Sequence, residues 1–203
     1  MYPFEGGWNI KDLARIGNTL LLAASQSGNY RAALADYTVS DDGTVSLSPA
    51  RELSIPDLTG RGMPYISCVT AGEDGCFYVV SAELPKAYFS DGALTTNDGY
   101  TGEYTICRFS PAGELLGTIE LHDWENGGIT RLAALSDGRL LVYSVDFFDM
   151  NNYAERNYYI AALSADGSVK AAETLDSGLF GSKAIGDKFY GMFASLDASN
   201  EYI

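Results

Sequence analysis

The chain has 203 residues, 46% hydrophobic and 20% charged, a globular composition long enough to bury one domain's core. Asp and Glu number 27 against 13 Lys and Arg, and the net charge of −14 argues against nucleic acid or anionic membrane as primary partner, because both are held by basic surfaces. The longest aliphatic run, Leu20-Leu21-Leu22-Ala23-Ala24, is far too short to span a bilayer.

In chain order, Met1-Tyr2-Pro3-Phe4-Glu5 has neither the basic region nor the apolar core of a secretory leader, as in a mature chain or a fragment. A turn followed by an apolar run then recurs. It is Gly17-Asn18 before Leu20-Leu21-Leu22, Asp74-Gly75 before Phe77-Tyr78-Val79-Val80, Asp137-Gly138 before Leu140-Leu141-Val142-Tyr143, and Gly186-Asp187-Lys188 before Phe189-Tyr190. Asn18, Gly75, Gly138 and Lys188 are separated by steps of 57, 63 and 50 residues. A second unit, Ser-x-x-Gly, alternates with the first at Ser40 to Gly43, Ser110 to Gly113 and Ser164 to Gly167. Each copy follows a tyrosine-led stretch such as Tyr104 to Phe109 or Tyr158 to Leu163.

Asp-Gly and Asn-containing turns between short β-branched and aromatic runs predict hairpins, and no sustained three-and-four spacing predicts a helix. The repeat predicts an all-β chain of four-stranded antiparallel blades, strands A to D, near residues 10–55, 65–121, 129–175 and 181–203. That is a β-propeller with about three and a half blades present in a single domain or fragment. A partial propeller and a closed four-bladed ring both satisfy the repeat. Stopping shortly into a strand, at Asn200 to Ile203, favours the partial one. A β-sandwich is the competitor, but it does not require the turn and tyrosine signals to recur in the same order.

Cys68, Cys76 and Cys107 are an odd number without C-x-x-C spacing, so they read as small buried thiols in strands rather than as a zinc site or disulfide framework. Long connections fall on one side of the repeat: Ser81 to Gly102 and Asp146 to Asn157 between strands B and C. The D–A links Pro56 to Pro64 and His122 to Gly128 emerge at the same face. These segments supply the candidate ligand contacts Tyr88, Phe89, Tyr100, His122, Asp123, Trp124, Asp146, Phe148, Asp149 and Tyr153. Aromatic faces beside carboxylates suit a polyhydroxylated ligand, whose C–H faces stack and whose hydroxyls donate; they also suit a cation. The bland reading is that the same aromatics anchor the loops and the acids are solvated. Asp146, Asp149, Asn151 and Asn152 cluster oxygen donors without the calcium-loop pattern, so no metal is assigned.

Catalysis is not signalled. His122 is the one histidine, no G-x-S-x-G marks a nucleophile, and no glycine-rich phosphate cradle is present, so neither catalytic residues nor a cofactor is assigned. The Ser-x-x-Gly turns lack the spacing and tryptophan of the sialidase Asp-box.

The stretch Ile129-Thr130-Arg131-Leu132-Ala133-Ala134-Leu135-Ser136-Asp137-Gly138-Arg139-Leu140-Leu141-Val142 resembles bacterial propellers of the WD40/YVTN-like general class. Tyr104-Thr105-Ile106-Cys107-Arg108-Phe109-Ser110-Pro111-Ala112-Gly113-Glu114, with Leu115-Leu116-Gly117-Thr118-Ile119, resembles propeller regions that precede extracellular solute-binding domains in some Gram-positive lipoproteins. That resemblance implies an extracellular or cell-surface module accessory to nutrient capture, and it carries over no binding residue. The functional expectation is a non-catalytic propeller that binds a glycan, another small molecule or a protein through its B–C/D–A face. A glycoside-active domain using a carboxylate pair and an acidic protein-interaction scaffold are the alternatives.

Overall fold

A computed structural model describes residues 6–57, 65–82, 102–124, 128–135, 138–145, 158–164, 166–175, 178–185 and 188–194. Every regular element among them is a β-strand, in four antiparallel sheets whose strands pair in chain order. The first sheet holds β1 (Asn9–Ile16), β2 (Thr19–Gln26) and β3 (Asn29–Val39). Its outer position is shared by β4 (Val45–Leu47) and β5 (Arg51–Glu52), both paired to β3 and separated by Ser48-Pro49-Ala50, where proline cannot donate to the ladder. The second sheet runs β6 (Tyr65–Ala71), β7 (Phe77–Ala82), β8 (Gly102–Phe109), β9 (Leu115–Trp124). The third runs β10 (Gly128–Ala134), β11 (Leu140–Val145), β12 (Tyr158–Leu163), β13 (Val169–Leu175). β14 (Gly178–Ile185) and β15 (Lys188–Ala194) pair as a two-stranded sheet. The fourth unit thus starts at Gly178, a little before the expected 181, and residues 195–203 lie outside the described residues. Among the described residues no sheet closes on itself.

The repeated turns share one geometry. In Ser40 to Thr44, Ser110 to Glu114 and Ser164 to Ser168 the glycine amide donates to the serine carbonyl, and the serine amide donates across the turn. The same pair of bonds closes Gly72 to Cys76 and Leu135 to Arg139. Each such turn ends on a glycine in the left-handed region, as at Gly113 (φ 94°) and Gly167 (φ 83°), which is the three-residue hairpin form that requires positive φ.

The first strands of successive sheets lie side by side, β1 against β6, β6 against β10 and β10 against β14. All four carry a register shift, between Ile10 and Asp12, Ile66 and Cys68, Ile129 and Arg131, and Phe180 and Lys183. The bulges turn polar groups toward the neighbour: Asp12 Oδ2 accepts from the Val69 amide at 3.1 Å, and the Ser67 hydroxyl donates to the Ile129 carbonyl. At the starts of the third strands stand tyrosines in equivalent register, Tyr30 opposite Ser25 and Tyr104 opposite Ala82. Each reaches the next sheet. The Tyr30 ring meets Tyr65 edge-on at 4.7 Å, and the Tyr104 hydroxyl accepts from the Ile129 amide at 3.3 Å.

Apolar second and third strands fill the gaps between sheets. Leu21, Leu34 and Leu53 pack with Phe77, Val79 and Phe109 between the first two sheets. Val80, Ile106 and Leu121 pack with Leu132, Leu140, Val142 and Leu163 between the next two. Each of these large side chains contributes about 1.5–3 kcal/mol on burial. Both faces of β7 are covered, as its unbroken Phe77-Tyr78-Val79-Val80 run requires. Cys68, Cys76 and Cys107 are buried free thiols within these cores, and desolvation alone pushes Cys107 up to about 12.

Candidate functional site

The candidate face is built where β7 ends, β8 begins and β9 ends. Ala82 pairs with Tyr104, and Gly102 pairs with Trp124, so the two flanks of the 83–101 connection and the C-terminal end of β9 come together. The Ser81 hydroxyl donates to the Pro56 carbonyl at 3.4 Å and holds the preceding link at the same end.

His122 is exposed on β9 and stands between two carboxylates. Its Nδ1 is 2.6 Å from Glu103 Oε2 on β8, and its Nε2 is 3.3 Å from Glu120 Oε2 on its own strand. The hydrogen bond and charge of Glu103 raise the imidazole above its ordinary value, and Glu120 adds to this in smaller measure. The two carboxylates engage different ring nitrogens and converge on no common point. Accordingly, no group of three or more His, Cys, Asp or Glu side chains is arranged to hold a metal among the described residues. The trio is an ion-pair cluster that ties β8 to β9 beside the long connection.

Trp124 differs from expectation. The sequence predicts a loop from His122 to Gly128, but β9 continues through Trp124 and the register shifts between Gly102 and Tyr104. That bulge takes up one residue, so Leu121 and Trp124 both turn into the core between the second and third sheets. Trp124 is 4% exposed, a core side chain rather than a stacking surface. Its indole Nε1, with Ser144 Oγ and Thr70 Oγ1, is a buried side-chain atom without a hydrogen-bond partner among the described residues. Asp123 belongs to β9. Tyr88, Phe89, Tyr100, Asp146, Phe148, Asp149 and Tyr153, and the oxygen donors Asn151 and Asn152, lie outside the described residues.

Two side-chain clusters of the second sheet were not singled out in the sequence, one at this face and one at the other end. Glu103 and Glu120 become partners of His122 only once the β8–β9 register is known. At the opposite end of the second sheet, Asp74 accepts from the Tyr78 hydroxyl at 2.8 Å and from Arg108 Nε at 3.0 Å, through Oδ2 in both cases. The sequence marks Asp74 only as a turn residue.

No protein-family model matches the sequence, and no curated protein matches it. Among solved structures the chain is similar to Pyrococcus horikoshii acylaminoacyl peptidase, at 12% identity and a TM-score of 0.31. The match covers 92% of this chain and 43% of that one, so the present chain spans less than half of the peptidase chain. At that identity and TM-score the likeness bears on neither fold nor chemistry.

Proposed function

We propose that the four sheets are blades of a partial β-propeller that acts outside the cytoplasm as a non-catalytic binding module, with a carbohydrate as its ligand. The observation that supports this reading is the succession of first strands, β1, β6, β10 and β14, each against the next. In such a succession the β7–β8 and β11–β12 connections leave from one common end. These are the two long insertions, and they carry Tyr88, Phe89, Tyr100, Asp146, Phe148, Asp149 and Tyr153. Exposed His122, with its flanking carboxylates, borders the same end and supplies polar contacts there. Stacking aromatics with acceptors at their edges are the chemistry a sugar ring uses.

The test is calorimetric titration of the 203-residue chain against a panel of oligosaccharides, with product analysis of each mixture. Saturable binding without turnover, weakened by deleting Asp149 to Tyr153 while the unfolding transition is kept, supports the reading. Hydrolysis abolished by one carboxylate substitution replaces it with a glycoside-active domain. Undiminished affinity in the deletion variant removes this face from consideration.

A further inference from the structure

A cleft of about 360 Å³ opens between the second and third sheets at the turn end, away from the face discussed above. Its origin is a local departure from the repeat. In the first sheet the cross-strand pair Leu21–Leu34 fills the corresponding place, and Leu34 lies against the turn glycine Gly113 of the next sheet. In the second sheet the equivalent pair is Tyr78–Arg108, and Arg108 faces Gly117 on β9. Asp74 draws both side chains toward its own turn: Oδ2 takes the Tyr78 hydroxyl together with Arg108 Nε and Nη2, and Oδ1 takes the Cys76 amide. Aliphatic filling is lost at one position and a side chain is missing at the other, so the gap stays open.

The chemistry of the cleft is asymmetric. Ile119, Leu140 and the Tyr78 ring give it apolar walls. The Asp74 carboxylate has its acceptor capacity spent on its own neighbours. Arg108, 44% exposed, commits two of its five N–H groups to Asp74, also meets the Cys76 thiol, and lines the cleft. The remaining donors call for a planar acceptor. A monoanion fits better than a dianion, because the Asp74 charge is adjacent.

We propose that this cleft binds a small carboxylate with an apolar body, the anionic end on Arg108 and the body against Ile119, Leu140 and Tyr78. The volume is at the small end of ligand sites and suits a compact acid or the last residue of a peptide.

The test is an amide-resolved NMR titration of the 203-residue chain with 3-phenylpropionate, its primary amide, and an N-acetylated tripeptide ending in Phe with a free or amidated C-terminus. Saturable shifts at Arg108, Gly117 and Gly138 with the free carboxylates, weakened about tenfold or more in the amides, are expected. Tighter binding of the small acid or of the peptide identifies the source of the group. Gly117→Val is the decisive variant. A Cβ at Gly117 meets no atom of the described residues within 4 Å and the residue lies within β9, so valine leaves the strand intact while occupying the cleft. Binding is expected to vanish with the unfolding transition retained. Arg108→Lys, which keeps the charge but not the fork, is expected to weaken binding about tenfold as an independent check. Equal binding of acids and amides, persistence of binding in Gly117→Val, or no saturable shift with either carboxylate overturns the proposal.

Discussion

Gly167 in the β12–β13 turn sits against Ile119 of the preceding sheet so closely that a Cβ there would stand 2.5 Å from Ile119 Cγ2. The equivalent Gly113 repeats the relationship one sheet earlier, with Leu53 Cδ2 at 3.2 Å. Gly113 and Gly167 therefore each meet two demands: positive φ for the turn, and space for an aliphatic side chain of the neighbouring sheet. Gly43, in the same turn of the first sheet, has positive φ but no atom of the described residues within 4 Å of a Cβ there.

The three glycines therefore separate the two demands. Gly43→Ala is expected to cost only the left-handed strain, about 1–2 kcal/mol. Gly167→Ala is expected to cost about 1–3 kcal/mol more, the added term being overpacking against Ile119 and Leu121. Urea unfolding of both variants measures the difference. Equal losses would mean that the sheets do not dock through this turn.

Trp124 carries a second expectation, now of stability. As a buried side chain between two sheets, its replacement by alanine is expected to cost about 3–5 kcal/mol. Trp124→Phe keeps most of the ring volume and removes an indole N–H that has no partner among the described residues, so it is expected to cost far less. Equilibrium unfolding with tryptophan-independent detection, such as far-ultraviolet dichroism, checks both. A mild effect of alanine would place the indole outside the core.

These cases mark what the residues made legible. Turn chemistry is local, so Asp74-Gly75, Asp137-Gly138 and the Ser-x-x-Gly copies fall at the observed hairpins, and the tyrosine-led stretches coincide with β8 and β12. Strand ends are not local. Whether Trp124 belongs to a loop or a strand depends on the bulge opposite Glu103, and that depends on pairing between residues about 20 apart in the chain. Register likewise hides His122–Glu103 and Tyr78–Arg108, because cross-strand partners leave no sequence spacing of their own. The ligand contacts expected in the 83–101 and 146–157 connections rest on composition alone.

His122 gives a direct pH observable. Both neighbouring carboxylates favour the imidazolium, so its titration by NMR is expected with a midpoint above the ordinary 6.5. Glu103→Gln is expected to return most of that rise, and Glu120→Gln less, since Glu103 makes the shorter contact. A folded-state value above the unfolded one means the contribution to stability is fully present just below the unfolded value, while the carboxylates are ionised, and is lost as pH rises through the folded value. A midpoint unmoved by Glu103→Gln would show that the β8–β9 tie is not formed in solution.

Asp74 has the opposite sign. Burial pulls its carboxyl upward, but the Tyr78 hydroxyl, the Cys76 amide and Arg108 together outweigh burial and hold it below its ordinary 3.8. Its folded value is thus below the unfolded one, so the stabilisation is present above about pH 4 and is lost as pH falls through the folded value. Asp74→Asn is therefore expected to be less stable than the parent at neutral pH, with the gap closing under acid. Tyr78→Phe removes one of the bonds that favour the ionised form and brings the folded value nearer the unfolded one, so in that variant the acid loss is expected to be smaller and complete at a higher pH. Denaturant unfolding of the three proteins across the acid range measures this. A gap between Asp74→Asn and the parent that stays constant down to about pH 3 would mean that the carboxylate charge plays no part in the network, leaving its hydrogen-bond geometry as the source of the difference.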